Sequence, residues 1–371
     1  MISVVPLRLI SNGVIIWKNE RPTSTSFCRP ILFKFMKDTK ENVEAVLAPI
    51  EAEIDALTPT TISDGVTVTH QMMMTMIDDE YLPITSETIA SVCKICEAEA
   101  KKVNPVFQTV KWKQAEKNEY KHGLSTLHVL IRSMDSLLEI CYKVGLDLYV
   151  DPLCDKFPSP IWLPKNLFAR KAVKNKKRLV QEVLKYSQFL LDPSDQNYSS
   201  ISRGTSSRLF FERTPFISAL SKLDKKLLKQ IAVVLQCISS GRKILIPKFR
   251  QFCIDTARRY MELYPWYHMP SPLHKLLIHG PDFVENFSII PIGLLCEEIN
   301  ESKDIAYRGC REVEQAFHSH KWNRKTFKKL LLKSDPVLAS TKPKIRNSSY
   351  FRELYKLTES EDTDDISMVD E

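Results

Sequence analysis

The sequence of this chain centres on Leu273-His274-Lys275-Leu276-Leu277-Ile278-His279-Gly280, followed at positions 292–302 by Ile-Gly-Leu-Leu-Cys-Glu-Glu-Ile-Asn-Glu-Ser. The first segment carries two histidines five residues apart, and the second carries three acids in an amphipathic pattern. Imidazole nitrogens bind zinc, whereas carboxylates hold harder cations or activate water. A histidine pair is also commonly structural, and zinc requires four ligands in a tetrahedron. The pair therefore needs two further ligands from elsewhere in the chain.

The acids of the second segment lie on one predicted helical face. Leu294, Glu298, Glu301 and Ile305 follow one another at spacings of four, three and four residues. Acids near a helix start often do no more than complement the helix dipole. Acids on an otherwise apolar face are costly to bury unless they are paired or metal-bound. This pattern distinguishes Glu298 and Glu301 from ordinary surface acids.

Composition limits the classes of protein to consider. The chain has 371 residues, a formal net charge of +8 and a pI near 8.9, which favours an anionic partner, nucleic acid before membrane. Its nine cysteines are an odd number and are scattered, so we expect reduced thiols in the cytosol or nucleus. Glycine is scarce, and the sequence contains neither a P-loop nor a dinucleotide-binding fingerprint. No apolar run is long enough to predict a membrane span.

The first 60 residues predict strands and then a helix. Val4–Ile10 and Val14–Trp17 flank Asn12-Gly13, a strong signal for a hairpin turn, and Ile31–Phe35 is a third apolar run. Asp38–Glu41 resembles a helix capping box, and apolar residues repeat at helical spacing from there to position 57. A proline inside this helix, at position 49, is expected to kink it.

A strand that ends in acids is predicted next. Val66–Ile77 alternates at first and then becomes almost wholly apolar, as in a strand buried on both faces. Asp78, Asp79 and Glu80 follow it. Catalytic carboxylates often lie just past the carboxyl end of such a strand in open α/β sheets. A solvated strand exit is the alternative.

Half of a zinc site follows at Cys93-Lys94-Ile95-Cys96. Two buried free cysteines would explain the same spacing. The zinc-site interpretation is favoured because His274 and His279 can supply the other two ligands from far along the chain. We therefore expect Cys93, Cys96, His274 and His279 to bind one Zn²⁺ ion.

From about residue 120 to 265 the pattern is helical, apart from a Ser-rich loop predicted over Asp192–Gly204. One predicted helix, Lys165–Leu191, carries a basic face that would contact phosphate or simply be solvated. Its cations are Lys171, Lys174, Lys176, Lys177 and Arg178. A second basic segment with aromatic residues spans Lys321–Lys333. The acidic tail, residues 341–371, is expected to be disordered.

The order of these features resembles the Transib-type DNA transposases and their relative, the catalytic subunit of the V(D)J recombinase. The resemblance extends over most of the chain, roughly residues 4–340. Short blocks carry it, namely Trp17-Lys18-Asn19, Arg21-Pro22, Cys28-Arg29-Pro30, Met76-Ile77-Asp78, Cys93 with Cys96, Thr126-Leu127-His128, Gly204–Phe211, His274 with His279, Asn300-Glu301-Ser302 and Ser334-Asp335-Pro336.

The resemblance implies an α/β fold with a large all-α insertion, predominantly helical overall. A partial RNase H-like (DDE transposase) sheet would occupy residues 1–90, and a helical insertion with zinc-binding ends residues 91–285. A catalytic-type helix and a basic helix would follow over residues 286–340. The tail would occupy residues 341–371.

The family chemistry is metal-dependent DNA cleavage and strand transfer, in which three carboxylates hold two Mg²⁺ or Mn²⁺ ions. By resemblance, Asp78 and Glu301 are the second and third carboxylates, and Arg208 contacts nucleic acid. DNA is then the expected partner and the nucleus the expected location. A homodimer is left open, and neither a membrane nor a small-molecule substrate is expected.

This sequence departs from the family pattern at several positions. The strand that carries the family's first aspartate has no counterpart here, Asp79-Glu80 replaces a Gly-Lys pair, and Thr205 replaces an asparagine. Loss of one bridging carboxylate weakens two-metal binding. We therefore expect a truncated transposase with little or no nuclease activity. The alternative is a non-catalytic zinc-containing module that binds DNA or protein.

Overall fold

The computed structural model describes residues 2–19, 22, 24, 27–32, 39–62, 65–72, 93, 95–96, 124–144, 167–186, 200–267, 269–286, 291–295 and 356–358. Over these residues the protein is predominantly helical, with three two-stranded antiparallel sheets. No helix among them is long and apolar enough to cross a membrane.

The N-terminal strands confirm the predicted hairpin. Strands β2 (Arg8–Ser11) and β3 (Val14–Lys18) pair directly, and β1 (Ile2–Val4) pairs with β4 (Arg29–Leu32). Asn12 and Gly13 connect β2 to β3 with φ angles of 48° and 78°. Positive φ at both central positions defines the type I′ turn that Asn-Gly favours.

Helix α1 spans Lys40–Asp55 and contains Pro49, as the sequence predicts. Its N-cap is Thr39, whose hydroxyl accepts a hydrogen bond of 3.4 Å from the Asn42 N–H. The predicted capping box at Asp38 therefore begins one residue too early, and Asp38 itself lies outside the described residues.

The predicted buried strand is wrong over residues 66–72. Strand β6 contains only Thr67–Val68, which pairs with β5 (Thr60–Thr61), and the flanking Val66 and Met72 are 53% and 40% exposed. A strand is buried on both faces only when other layers cover both faces of its sheet. A two-residue ladder in the described part of the chain offers no such layers. Residues 73–80, including Asp78, lie outside the described residues.

The helical body occupies most of residues 124–286. The described residues of this body form, in order, α2 (Thr126–Cys141), α3 (Leu167–Tyr186), α4 (Ser200–Glu212), α5 (Thr214–Ser221), α6 (Lys225–Ser239) and α7 (Ile246–Leu263). They are followed by α8 (Ser271–His274), a π-helical turn (Lys275–His279), α9 (Gly280–Asn286) and a 3₁₀ turn (Ile292–Leu295).

Apolar residues that repeat at helical spacing in the sequence form much of the core of this body. Leu127, Leu130, Ile131, Met134, Leu138 and Cys141 are all buried along α2, and Leu227, Ile231, Val234, Leu235 and Ile238 are buried along α6. Helix α7 buries Phe249 and Tyr260 completely and ends at Leu263, before Pro265. Period-3.6 patterning therefore predicts the core of this region correctly.

The end of the predicted Ser-rich loop is helical instead. Helix α4 begins at Ser200, and residues 192–199 lie outside the described part. A Cβ atom at Gly204 would lie 2.5 Å from the Leu127 Cδ1 atom, so the glycine lets α4 approach α2 closely. Ser207 is also completely buried on α4. Tertiary packing against α2 thus overrides the polar, turn-like composition of the segment.

Candidate metal centre

The structure brings together all four residues predicted to bind zinc. Cys93, Cys96, His274 and His279 each offer one ligand atom, and these four atoms lie within 4.8 Å of one another. The Cys96 Sγ and His274 Nε2 atoms are 3.3 Å apart, and the centroids of the two imidazole rings are separated by 5.2 Å. The cluster could bind a metal such as zinc.

The cluster lies mostly inside the protein. Cys96, His274 and His279 are buried, with 7%, 3% and 3% of their surfaces exposed, and Cys93 is partly buried. Buried polar groups require partners, since water cannot solvate them. Four protein ligands also fill a tetrahedral coordination sphere, which is typical of closed sites without an open position for a substrate.

A change of helix type aligns the two histidines. Residues five apart point roughly 140° away from each other around an α-helix of about 3.6 residues per turn. The chain instead forms a π-helical turn over Lys275–His279. Because hydrogen bonds in a π-helix run from residue i to i+5, residues five apart stand one turn apart. The π turn therefore lets His274 and His279 face the same pair of cysteines.

Charged residues on two neighbouring helices support the cluster. Asp282, on α9, places Oδ2 3.8 Å from the His279 Nδ1 atom. Its other oxygen accepts a hydrogen bond from Arg250, on α7. Within the described part of the chain, the buried Nε2 atom of His279 has no hydrogen-bond partner. A bound cation would satisfy that nitrogen, so the donor set fits a metal.

Electrostatics at the cluster favours negative sulfur and positive surroundings. The hydrogen bond with Cys96 and interactions with both histidines lower the pKa of Cys93, although burial opposes this shift. Burial alone would lower the pKa of His279, but interactions with Asp282 and Cys93 outweigh it and raise that pKa. Burial opposes ionisation of Asp282, yet His279 and Arg250 keep its pKa below the ordinary value. A thiolate is the form of cysteine that binds metals.

The five cations predicted on one basic helix face belong to two groups. On α3, Lys171, Lys174 and Arg178 are exposed and share the outer face at spacings of three and four. Lys176 donates a hydrogen bond to the Val144 carbonyl oxygen instead, and burial lowers its pKa. The ammonium group of Lys176 therefore already has a partner inside the protein.

Lys177 is exposed, with 47% of its side chain accessible, and it also has contacts within the protein. Its Nζ atom lies 3.9 Å from a Glu139 carboxylate oxygen and 5.4 Å from the centroid of the Tyr142 ring. These two lysines flank the buried stripe of α3, which includes Val180 and Leu184. Phosphate contact by these two lysines therefore stays a prediction.

The remaining predicted site residues have different outcomes. Arg208 is exposed on α4. Asp78, Glu298 and Glu301 lie outside the described residues, as does the second basic segment, 321–333.

The 3₁₀ turn before Glu298 contains Gly293, where a Cβ atom would lie 2.3 Å from the Ser240 carbonyl oxygen. This turn is therefore seated directly on the end of α6.

Sequence reasoning missed two residues of the site, Asp282 and Arg250. Asp282 could have been noticed, because it follows His279 by three residues and shares its side of a helix. Arg250 gave no such signal, since it lies 32 residues from Asp282 and meets it only through the packing of α7 against α9.

No family model matches this chain, and no curated protein matches it at the significance required.

Proposed function

We propose that this chain is derived from a Transib-like DNA transposase, in which zinc ties together the two ends of a helical insertion. The convergence of Cys93, Cys96, His274 and His279 carries this proposal. Cys96 and His274 are 178 positions apart, yet their ligand atoms meet in a single buried cluster. The order of cysteine pair, helical insertion and histidine pair is also what the resemblance implies.

Zinc in this proposal is structural. Two thiolates and two imidazoles complete its coordination sphere, and a closed site of this kind stabilises a fold without activating water. The ion would join the segment around Cys93 to the α8–α9 region. Binding energy at such a site contributes directly to folding energy.

The catalytic part of the proposal concerns Asp78 and Glu301. On a partial RNase H-like sheet, these carboxylates would hold Mg²⁺ or Mn²⁺, which stabilises the attacking and leaving oxygens in two-metal chemistry. No residue of this sequence is assigned to the first carboxylate. We therefore propose that the chain binds DNA in the nucleus with little or no cleavage.

The DNA contact in this proposal is made by the outer face of α3. Lys171, Lys174 and Arg178 are exposed there, and phosphate contacts by such cations dominate nonspecific affinity. Arg208, exposed on α4, is proposed as a further contact. The net charge of +8 favours the same partner.

Binding of a fluorescent DNA duplex to the full chain, followed by anisotropy at several salt concentrations, tests the proposal. Each phosphate contact contributes about 0.9 to the slope of log K against log salt. Replacing Lys171, Lys174 and Arg178 together by glutamine should reduce that slope by roughly 2.7. The control replaces three exposed lysines on α6 and α7, namely Lys225, Lys226 and Lys248. Equal losses in the two variants, or no binding at about 50 mM salt, would contradict the DNA contact.

Plasmid nicking separates the proposed inactive transposase from an active one. With Mg²⁺ or Mn²⁺, the full chain should leave supercoiled plasmid intact. Robust nicking that Glu301→Ala abolishes would overturn the proposed inactivity and establish a working carboxylate site. A non-catalytic module would also bind DNA and zinc without nicking. The closed metal cluster favours such a module as the second candidate function.

A further inference from the structure

A series of charged side chains leads from helix α7 to the metal cluster. The Arg250 guanidinium donates from Nη1 to Asp282 and from Nη2 to the Glu285 Oε2 atom at 2.7 Å. Asp282 and Glu285 are three residues apart on α9 and so share one helical face. A single guanidinium thereby holds two carboxylates and fixes α9 against α7.

The two oxygens of Asp282 have different roles. Oδ1 accepts the hydrogen bond from Arg250, while Oδ2 lies 3.8 Å from the His279 Nδ1 atom. This second separation is an ion-pair distance and is longer than a direct hydrogen bond. The carboxylate therefore faces one nitrogen of the His279 ring and leaves the buried Nε2 atom for a cation.

We propose that Asp282 is a positioning residue of the metal centre. Its carboxylate keeps the His279 proton on Nδ1 and so presents the Nε2 lone pair to the ion, while Arg250 keeps the carboxylate in place. The inference rests on the proposed metal site and adds a residue that does not touch the ion. Loss of such an outer partner commonly weakens metal binding about 10- to 100-fold.

Glu285 provides a matched control. It binds the same guanidinium as Asp282, but its side chain is 59% exposed, against 29% for Asp282. It also stands one helical turn farther from His279 along α9. Neutralising either acid removes one negative charge from Arg250, and only Asp282 faces the ligand ring.

Competition for zinc between the full chain and a chromophoric chelator, at fixed pH, measures how much each substitution weakens zinc binding. The parent should bind about one zinc. Asp282→Asn should retain that stoichiometry with an affinity about 10- to 100-fold weaker, and Glu285→Gln should bind nearly as tightly as the parent. Unchanged affinity in Asp282→Asn, or equal losses in the two variants, would overturn the positioning role. If the parent binds no zinc, the proposed metal site itself is overturned. Zinc binding by the parent is therefore measured before the variants are compared.

Histidine nitrogen NMR on the zinc-loaded parent tests the same point without a substitution, should Asp282→Asn fail to fold. The ¹⁵N shifts of His279 are expected to show a protonated Nδ1 and a metal-bound Nε2. Metal bound through Nδ1 would contradict the inference, because Asp282 would then face the ion directly.

Discussion

At the scale of single residues, the described cysteines occupy two kinds of environment. Burial raises the pKa of Cys141 to about 11 and that of Cys237 to about 12. Cys93 is only partly buried, and its neighbours in the cluster lower its pKa. A cysteine count cannot separate these environments, because the same thiol is a core residue in one and a ligand in the other.

Selective alkylation should distinguish the two kinds of thiol. In metal-free protein at neutral pH, iodoacetamide should modify Cys93 faster than Cys237, because the neighbours of Cys93 lower its pKa whereas burial raises the pKa of Cys237 and covers its sulfur. Peptide mapping by mass spectrometry measures both rates in one sample. Added zinc should protect Cys93 and leave the rate at Cys237 unchanged. Equal rates at the two residues in metal-free protein would contradict this assignment.

Asp224 joins the start of α6 to α7 through three kinds of contact. Its carboxylate accepts from the Leu227 N–H at 2.7 Å, which caps α6, and from the Arg259 Nε and Nη2 atoms at 2.9 and 3.1 Å. Its own N–H donates to the Tyr264 hydroxyl. Burial raises the pKa of Asp224, but Arg259 and the Leu227 N–H outweigh burial and lower it.

The ion pair at Asp224 should make stability depend on acid pH. Because the folded pKa is below the unfolded value of about 3.9, the stabilisation is complete above the unfolded pKa and is lost as pH falls through the folded pKa. Asn caps helices as well as Asp does, so Asp224→Asn should cost about 0.2–1 kcal/mol at neutral pH through the ion pair alone. Asp224→Ala should cost about 1 kcal/mol more.

Urea unfolding between about pH 3 and pH 7 tests this dependence. The difference in the free energy of unfolding between the parent and Asp224→Asn should shrink as pH falls below about 4. A difference that stays constant, or grows on acidification, would show that the charge of Asp224 is not responsible.

At the scale of elements, close backbone contact seats the 3₁₀ turn on α6. Gly293 is buried there, and a Cβ atom would meet the Ser240 carbonyl oxygen at 2.3 Å and the Ser239 carbonyl oxygen at 2.6 Å. These are backbone atoms at a helix end, which cannot rotate away as a side chain can. The position of this turn therefore depends on a residue without a side chain.

Gly293→Ala should dislodge the turn and destabilise the protein by about 1–3 kcal/mol. Hydrogen exchange should report the change locally, because the Leu294 N–H donates to the Pro291 carbonyl oxygen at 2.9 Å. Gly280→Ala is the control, since a Cβ atom there meets nothing within 4 Å and the backbone is helical. That substitution should stabilise by up to about 1 kcal/mol. Similar destabilisation by both would contradict the close contact at Gly293.

Elements whose signals are local were predictable from the sequence. Asn12-Gly13 specified its turn, and the apolar stripe of α6 specified a buried face. The predictions over residues 66–72 and 200–204 failed because burial there depends on neighbours distant in sequence. An apolar run does not create the layers that would cover it, and Ser200–Gly204 is helical because α4 packs on α2. The π turn also escaped prediction, since i to i+5 alignment has no distinct hydrophobic period.

At the scale of the whole molecule, the order of ligand pairs predicted the metal cluster although nothing local did. Neither Cys93-x-x-Cys96 nor the histidine pair is specific alone, but each lacks two ligands that the other offers. The supporting contact from Arg250 could not be predicted, since it depends on how α7 lies beside α9. The order of residues in the sequence therefore identifies the metal ligands. The residues that hold those ligands in place can be identified only from the packing of the folded chain.

An ion at this cluster would close a loop of 178 positions between Cys96 and His274. For a covalent link, the chain-entropy estimate at about 100 residues is already about 4.7 kcal/mol, and it grows slowly with length. A ligand at 1,000 times its dissociation constant stabilises the folded state by about 4.1 kcal/mol. Both estimates make the ion a large part of the roughly 5–15 kcal/mol that stabilises a typical domain.

Removal of zinc should accordingly lower the Tm of the parent by roughly 8–16 °C, from about 2–4 °C per kcal/mol for a body of this size. Differential scanning fluorimetry with and without a chelator measures the shift. Cys96→Ala should have a low Tm that the chelator leaves unchanged, since the site is already lost. Cys237→Ala removes a buried thiol on α6 that is not one of the four ligands. Its Tm without chelator should therefore be lower than that of the parent, and the chelator should still lower it further. If the chelator lowers the Tm of Cys96→Ala as much as that of the parent, the stabilising ion is bound elsewhere, and the long loop is closed by packing alone.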